Sequence, residues 1–363
     1  SGWARLAAPR PAQPLYARAM APEGPACHAP AAVCPTRVLC AAAGGAAGER
    51  EQPVESDERS SQLRAISLEY QARELSEATQ GWSLGRKLGA GRAGAVYRGE
   101  LRDGTEVAIK LIEHGGPNKK ASGFHDEVQM LSKFRHPNLV TLLGWAKDED
   151  ARYLVYELLS GGDLFQRLVR SRRAASQPFT WQERLSVCLD AATGLSHLHN
   201  STPQAFHRDV KSANIVLSGS GTAKMADFGL SCTAGPLEAA TLRAVCGTPG
   251  YLCPLYKATG RMSEGSEVYS FGMVMLEVLT GLSPSSNDPA APGGLAYPIA
   301  RSIMPQQAGA LERCMQGLDR GAAWPTEEAR GFCDHALRCV AAEKQERPCF
   351  ADTVRALRCM ARA

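Results

Sequence analysis

Five short motifs follow one another along the chain, and together they constrain its fold more than any other feature. In order they are G-A-G-R-A-G-A-V at residues 89–96, V-A-I-K at residues 107–110, Glu127, H-R-D-V-K-S-A-N at residues 207–214 and D-F-G at residues 227–229. Three or four letters recur by chance in unrelated chains, so each motif alone indicates little. Five of them in one order leave chance little room, and they are therefore interpreted together.

The residues around these motifs resemble one family. L-S-E-A-T-Q-G-W-S, H-P-N-L-V-T-L-L-G-W, Y-L-V-Y-E-L, A-A-T-G-L-S-H-L-H, E-V-Y-S-F-G and A-L-R-C-V-A are similar to segments of eukaryotic protein kinases, in particular plant receptor-like kinases and interleukin-receptor-associated kinases of the tyrosine-kinase-like group. The resemblance covers roughly Leu75 to Met360. It implies an α+β, bi-lobed protein kinase fold, with a small lobe of antiparallel β-sheet plus one helix and a larger, mainly α-helical lobe. It also implies transfer of the γ-phosphate of ATP to protein Ser or Thr hydroxyls, in signal transduction.

Length and charge exclude several other classes of protein. A chain of 363 residues is longer than one hydrophobic core usually serves, which suits two lobes. The net charge is +4, from 41 basic and 37 acidic residues, so no strong field predicts nucleic acid as a partner. No run of about 18 apolar residues predicts a membrane span.

The cysteines indicate a reducing compartment. The chain has 12 of them without a paired spacing, and Cys188, Cys333 and Cys339 lie on apolar helix faces, where cysteine behaves as a small hydrophobe. The cluster from Cys27 to Cys40 fits no zinc spacing. We therefore expect a cytoplasmic location. Because the chain begins with Ser1, an upstream signal or membrane segment, and membrane association as part of a receptor, stay open.

Composition and periodicity predict the domain boundaries. Residues 1–62 are an Ala/Pro-rich tail with few large apolar groups and should be disordered, although an organellar transit peptide is an alternative. Residues 63–81 should form a lead-in helix, with Leu68, Ala72, Leu75 and Ala78 at helical intervals. Residues 82–361 should form the kinase domain, divided into a small lobe at 82–157 and a large lobe at 158–361.

Two helices should organise the large lobe. The residues Leu185, Leu189, Ala192, Leu195 and Leu198 recur at helical spacing and predict one buried stripe that ends just before H-R-D. The run from Val268 to Leu279 is apolar on nearly every face, which predicts a helix in the middle of the core that stops at Gly281.

The glycine motif lies between two predicted strands, where backbone N–H groups can approach phosphate oxygens closely. A flanking hairpin argues against the dinucleotide-binding version of the motif, in which a strand is followed by a helix. At the tip, Ala93 replaces the aromatic residue usual in the family. The residues that the resemblance assigns to ATP are Leu88, Gly89, Ala90, Gly91, Gly94, Val96, Ala108, Lys110, Tyr156, Glu157, Leu158, Asp163 and Val216.

The resemblance assigns separate electrostatic tasks to the catalytic residues. Lys110 would hold the α- and β-phosphates and pair with Glu127, while Asp209 would orient the attacking hydroxyl and Lys211 would neutralise charge on the γ-phosphate. Asn214 and Asp227 would supply the oxygen ligands that suit Mg²⁺. In isolation each residue is equally well a solvated charge or a turn former.

Two assignments carry open alternatives. Asp163 follows two glycines, so it is either a ribose ligand or a helix cap. Arg208 beside Asp209 is a cation that suits a phosphorylated activation segment, with Ser231, Thr233 and Thr241 as candidates for autophosphorylation in trans or for an activating kinase.

Two residues depart from the family pattern. Leu255 replaces the Glu that usually pairs with a buried Arg, here Arg347, and an unpaired buried charge would destabilise the large lobe. Glu267 replaces the Asp that opens the central helix and braces the catalytic loop. These departures leave a second hypothesis, a pseudokinase scaffold that binds nucleotide without productive phosphoryl transfer.

Overall fold

The computed structural model describes residues 60–91, 94–113, 123–149, 151–173, 177–234 and 245–362. Most of the predicted tail, the cysteine cluster within it, the loop tip Ala93 and the candidate phosphorylation site Thr241 lie outside these described residues.

The small lobe is built on a six-stranded sheet. Its strands are β1 (Leu68–Glu69), β2 (Lys87–Gly91), β3 (Gly94–Glu100), β4 (Glu106–Glu113), β5 (Leu142–Lys147) and β6 (Ala151–Glu157). Their order is β1-β5-β6-β4-β3-β2, and every neighbouring pair is antiparallel except the parallel pair of β1 and β5. The antiparallel sheet expected of the small lobe is confirmed, and in the turn between β3 and β4 the Asp103 carboxylate accepts the Thr105 N–H at 2.9 Å.

The two faces of this sheet carry different helices because side chains alternate along each strand. On β4, Val107 and Ile109 are fully buried on an outer face that helix α1 (Ala72–Ala78) covers through Leu75. Lys110 points to the inner face, where helix α2 (Phe124–Lys133) packs against β5 and β6. The alternation therefore puts a lysine and a helix on the side that faces the large lobe.

The predicted lead-in helix is shorter than expected and is divided. Residues 60–64 are helical, Leu68–Glu69 form β1, and only Ala72–Ala78 form the helix α1. Leu68 was expected on a buried helical stripe, but its side chain is exposed and its backbone pairs with β5. Pairing with a strand far along the chain outweighs the local helical period.

The large lobe is mainly helical, as expected. Its helices are α3 (Leu164–Arg173), α4 (Trp181–His199), α5 (Pro254–Thr259), α6 (Glu264–Thr280), α7 (Pro298–Ser302), α8 (Ala310–Gln316), α9 (Thr326–Cys339) and α10 (Phe350–Met360). Short strands surround the catalytic segments: β7 (Gly162–Asp163), β8 (Gln204–Phe206), β9 (Ile215–Leu217), β10 (Ala223–Met225), β11 (Cys232–Ala234), β12 (Ser286–Asn287) and β13 (Leu295–Ala296).

Helices α4 and α6 form the centre of this lobe. Helix α4 begins at a capping box in which Thr180 and Glu183 satisfy each other's backbone N–H groups. Four of the five predicted stripe residues of α4 are buried, namely Leu185, Ala192, Leu195 and Leu198, and Leu189 is partly buried. Helix α6 is buried from Ser266 to Thr280 except at Ser270, and Gly281 ends it with a left-handed φ of 67°. Both predictions from periodicity are confirmed.

Other acceptors surround Arg347 in place of the missing Glu. The guanidinium donates to the carbonyls of Ala341, Gly265 and Ala342 at 2.8, 2.8 and 3.1 Å, and to the Cys253 sulfur at 3.1 Å. It also lies over the Tyr269 ring, 5.1 Å from the centroid. A buried guanidinium surrounded in this way has its hydrogen bonds satisfied without an anion.

We predict that Arg347→Lys lowers the free energy of unfolding by about 2–4 kcal/mol, because a single ammonium cannot reach the carbonyls that the planar guanidinium spans. Leu255→Ala, at a side chain that is 42% exposed, should change it by less than about 1 kcal/mol. Urea denaturation of both variants measures the difference. If Leu255→Ala lowers the free energy of unfolding more than Arg347→Lys does, the carbonyl groups around Arg347 contribute little to stability.

Candidate active site

The glycine motif forms the hairpin of β2 and β3. Gly89 lies opposite Val96, and Gly91 lies opposite Gly94, across the tip. Gly94 has a φ of +126°, and a Cβ there would lie 2.1 Å from the Leu111 carbonyl oxygen, so β3 can approach β4 only with glycine at this position. The glycine motif therefore sits directly beside the strand that carries Lys110.

Lys110 joins two carboxylates from distant parts of the chain. Its Nζ lies 2.8 Å from Glu127 Oε2 on α2 and 2.7 Å from Asp227 Oδ1. Burial alone would lower the pKa of Lys110, but the two carboxylates outweigh it and raise that pKa, so the ammonium keeps its charge. Burial likewise opposes ionisation of Asp227, yet Lys110 dominates and lowers the pKa of its carboxyl group. Lys110 and Asp227 are therefore both charged at neutral pH.

Glu127 is held from three sides. Its Oε1 accepts the Tyr156 hydroxyl at 2.7 Å and the Phe228 N–H at 3.1 Å, while Oε2 faces Lys110. Burial, and then the charge of Glu127, raise the pKa of Tyr156, which therefore stays a neutral donor. Gly123, just before α2, approaches Gly229 so closely that a Cβ would lie 2.3 Å from its carbonyl oxygen. Helix α2 thus rests directly on the D-F-G segment.

Asp209 is surrounded by donors in the catalytic loop. Its Oδ1 accepts the Thr248 hydroxyl at 2.7 Å, and its Oδ2 accepts Lys211 Nζ at 2.6 Å and Asn214 Nδ2 at 3.1 Å. Lys211 also donates to Thr248 Oγ1 at 3.0 Å. The predicted catalytic residues of this loop are therefore in mutual contact, and Thr248 joins them.

The catalytic loop and the D-F-G segment are hydrogen bonded to each other. His207 accepts the Asp209 N–H at Nδ1 and lies 3.0 Å from the Ala226 carbonyl through Nε2, and the Ala226 N–H donates to the Asn214 carbonyl at 2.9 Å. The rings of His207 and Phe228 lie 4.7 Å apart. Leu131 and Leu142 are buried in the same cluster as Phe228.

Glu267 uses its extra methylene to reach two groups. Oε1 accepts the Arg208 N–H, and Oε2 lies 2.7 Å from His199 Nε2 in a fully buried contact. Arg208 has a left-handed φ of 68°, a conformation that costs a non-glycine residue roughly 1–3 kcal/mol and needs support from its surroundings. Glu267 therefore supports the Arg208 backbone and contacts His199 with the two oxygens of one carboxylate.

An ion pair and two hydrogen bonds hold the segment that is expected to contact adenine. The Glu157 carboxylate accepts Lys224 Nζ at 2.7 Å and the Thr141 N–H at 2.7 Å, and the Glu157 N–H donates to the Thr141 carbonyl. That N–H is therefore engaged within the small lobe, and the role of Glu157 toward adenine stays a prediction. Asp163 Oδ1 accepts the Gln166 N–H at 2.9 Å, as a helix cap does. Val216 lies opposite Asp163 on β9.

The Arg208 guanidinium contacts residues that lie before and after the candidate phosphorylation sites in the chain. It donates to the Leu230 carbonyl at 3.0 Å and lies 3.4 Å from the Tyr256 hydroxyl, which in turn accepts the Cys246 N–H. Ser231 is 5% exposed, with its hydroxyl 3.3 Å from the His207 carbonyl. Ser231 is therefore a poor phosphate acceptor in this conformation, whereas Thr233 is exposed.

Sequence reasoning missed a buried polar network behind the catalytic loop. Tyr251 donates to Glu277 Oε2 at 2.7 Å and lies 3.0 Å from the Ser212 hydroxyl, which belongs to the H-R-D motif. Burial raises the pKa of Glu277 to about 7. The only signal in the sequence was an acidic residue inside the apolar run of α6, and it does not identify the partner.

Comparison with known proteins assigns the family. The family of protein tyrosine and serine/threonine kinases matches residues 82–357, so this chain belongs to it. The chain is 37% identical over 287 residues to the receptor-like kinase TMK4 of Arabidopsis thaliana, which covers 78% of this chain and 31% of that protein. It is 36% identical to the receptor-like protein kinase HERK 1, covering 77% of this chain and 33% of that protein. It is 37% identical to the receptor-like serine/threonine-protein kinase ALE2, and the match covers 78% of this chain and 37% of that protein. HERK 1 and ALE2 are also from Arabidopsis thaliana. The chain thus spans about a third of the length of these relatives. In the described part of the chain, no helix is both long enough and apolar enough to cross a bilayer.

We predict that Glu277 makes stability fall as the pH rises. A folded-state pKa of about 7, above the ordinary 4.5, means that the folded chain binds this proton more tightly, so the contribution is complete below about pH 4.5 and lost by about pH 7. At about 1.4 kcal/mol per pH unit, the loss is about 3 kcal/mol. Glu277→Gln should therefore gain stability relative to the native chain between these pH values, by urea denaturation. The exposed Glu346→Gln serves as control, and parallel pH curves for all three proteins would contradict the prediction.

We predict that Glu267 and His199 act as one unit in stability. Glu267→Asp shortens the side chain so that it cannot span both His199 and Arg208, and His199→Gln removes the imidazole. In a double-mutant cycle the two losses should be non-additive by about 0.5–3 kcal/mol, as for residues in direct contact. Losses that add within about 0.3 kcal/mol would show that the two side chains act independently.

Proposed function

We propose that this chain is a protein-serine/threonine kinase that transfers the γ-phosphate of ATP to hydroxyl groups of a protein substrate. The observation that carries the proposal is the contact of Lys110 with both Glu127 and Asp227, 2.8 and 2.7 Å away. These side chains come from a strand, a helix and the D-F-G segment, so their meeting requires the complete fold. A buried ammonium already fixed in this way can bind phosphate oxygens without reorganisation.

ATP would bind between the glycine hairpin and the segment after β6. Lys110 would contact the phosphates, and the backbone N–H groups of the hairpin would approach them. Val96, Ala108 and Val216 offer apolar surfaces for adenine, while the Glu157 carbonyl and the Leu158 backbone remain as its hydrogen-bonding groups. The other residues proposed to line this site are Leu88, Gly89, Ala90, Gly91, Gly94, Tyr156 and Asp163.

A divalent cation fits the acidic side of the site, and we propose Mg²⁺. Asn214 uses its side-chain N–H group on Asp209, which leaves its side-chain oxygen as a ligand atom. The lowered pKa of Asp227 keeps a carboxylate beside it. Carboxylate and amide oxygens are the ligands that Mg²⁺ prefers in proteins. When bound, the cation would neutralise charge on the phosphates.

Asp209 would orient the attacking hydroxyl of the substrate. The hydroxyl oxygen forms a bond to the γ-phosphorus, the bond from that phosphorus to the bridging oxygen of ADP breaks, and the hydroxyl proton passes to the Asp209 carboxylate. Lys211, 2.6 Å from Asp209, would offset negative charge on the transferred group. Thr248 must give up its hydrogen bond to Asp209 Oδ1, or share that oxygen, as the substrate hydroxyl arrives.

Lys211 and Thr248 also support Ser and Thr as acceptors, because both resemble the residues of serine/threonine kinases at these positions. ALE2 carries that activity in its name. We further propose that phosphorylation of the activation segment, in trans or by another kinase, controls the chain, with Thr233 and Thr241 as acceptors. By likeness to receptor-like kinases, its place would be in the cytoplasm, where it would act in signalling, alone or as part of a membrane receptor.

The scaffold alternative rested on Leu255 and Glu267, and no observation favours it. Carbonyl groups satisfy Arg347 in place of the missing Glu, and Glu267 still accepts the Arg208 N–H. Neither departure touches Lys110, Asp209 or Asp227. The proposed catalytic residues are therefore complete and in contact.

We predict that Asp209→Asn lowers transfer of ³²P from γ-labelled ATP to itself or to a basic protein by about 10²–10⁴-fold, because the amide cannot accept the hydroxyl proton. Asp352→Asn, a matched change at a surface ion pair with Arg355, should leave transfer within about twofold. Nucleotide binding without transfer by the native chain would exclude the enzyme and favour the scaffold.

A further inference from the structure

The segment of residues 60–70 lies before the part of the chain that matches the family, yet it is built into the small lobe. Leu63 is 2% exposed, while its neighbours Ser61, Gln62, Arg64 and Ala65 are exposed. A short helical turn with one buried leucine indicates that the turn is docked against the core through that side chain.

Backbone contacts fix this segment to the edge of the sheet. Leu68 and Glu69 pair in parallel with Gly144 and Trp145 of β5, and the Tyr70 N–H donates to the Trp145 carbonyl at 2.8 Å. Gly144 makes the approach possible, because a Cβ there would lie 2.4 Å from the Leu68 carbonyl oxygen.

Leu63 lies on the inner face of the sheet, the face that carries α2. It belongs to the buried cluster that contains Phe124 and Trp145, whereas the residues on the outer face form a separate cluster with α1. Lys147, whose Nζ lies 2.5 Å from Ser60 Oγ, alternates with Ala146 of the outer cluster and so belongs to the same inner face. The segment therefore closes the inner face at the edge next to β5.

Helix α2 needs tertiary contacts to be stable. It has ten residues, and Gly123 at its N-terminus provides no side-chain cap. A helix of this length is marginal without tertiary contacts. Its first residue, Phe124, meets Trp145 edge to face with ring centroids 6.1 Å apart, and Glu127 follows one turn later. Contacts that hold Phe124 in place therefore also hold Glu127 in place.

We propose that residues 60–70 are a positioning element for the phosphoryl transfer proposed above, and that Leu63 is its positioning residue. Leu63 shares one buried cluster with Trp145 and with Phe124 at the start of α2, and through that cluster the segment holds Glu127 on Lys110. Leu63 touches no reacting atom and acts through Glu127 alone. Displacement of the segment lets α2 move and separates the buried ion pair, which lowers the rate of transfer while the rest of the site stays in place.

The test uses the full chain and compares Leu63→Ala with Leu68→Ala, a leucine on the same segment that is 58% exposed. Below the unfolding temperature of every variant, Leu63→Ala should lower kcat for ³²P transfer about tenfold, and Leu68→Ala less than twofold. In a Glu127→Ala background, where the ion pair is already absent, Leu63→Ala should lower kcat less than twofold. An equal loss with and without Glu127 would overturn the proposal, since Leu63 would then be a stability residue only.

Amide hydrogen exchange of residues 124–133 gives a second readout that does not need activity. Exchange should speed up in Leu63→Ala and stay native in Leu68→Ala; unchanged exchange would also overturn the proposal. If Leu63→Ala fails to fold, Leu63→Val takes its place, with a smaller effect in the same direction. A native chain that transfers no phosphate would refute the proposed function, and the exchange experiment would still decide whether the segment holds α2.

Discussion

One buried cation, Lys110, joins the small lobe to the D-F-G segment of the large lobe. Lys110 has almost no access to solvent, so its ammonium is stable only because Glu127 and Asp227 stand within hydrogen-bonding distance. Glu127 is in turn held by the Tyr156 hydroxyl and the Phe228 N–H. Removal of Lys110 would leave two facing carboxylates without their cation. The arrangement therefore requires the complete fold.

In the catalytic loop, hydrogen bonds to backbone groups take the place of the ion pairs that surround Lys110. Arg208 and Asp227 both adopt left-handed φ angles, of 68° and 64°, which a non-glycine residue adopts only when its surroundings demand it. The Glu267 carboxylate accepts the Arg208 N–H. His207 contacts the carbonyl of Ala226, the residue before Asp227. Strain at these two residues is offset by buried hydrogen bonds from α6 and from the loop itself, so the side chains of Asp209 and Asp227 are aimed by the backbone.

The sequence predicted those parts of the molecule whose signal is local. Motif spacing identified Lys110, Glu127, Asp209, Asn214 and Asp227, and the structure brings them together, although their roles stay predictions. Hydrophobic periodicity identified the buried helices α4 and α6. It was wrong about the lead-in segment, because β1 exists only through pairing with β5, about 75 residues along the chain. The partner of Glu277 was equally invisible, since Tyr251 approaches it through the fold and not through any spacing of residues.

The residues that depart from the family pattern show why a missing partner in a sequence does not predict a missing interaction. Leu255 removes a carboxylate, but the buried Arg347 needs acceptors and not specifically an anion, and carbonyl oxygens at a loop and a helix start supply them. Glu267 stands where the resemblance leads one to expect Asp, and its two carboxylate oxygens contact the Arg208 N–H and His199. In both places hydrogen bonds are satisfied although the expected residue is absent. Backbone carbonyls carry no signature in a sequence, so compensation of this kind can be recognised only once the chain is folded.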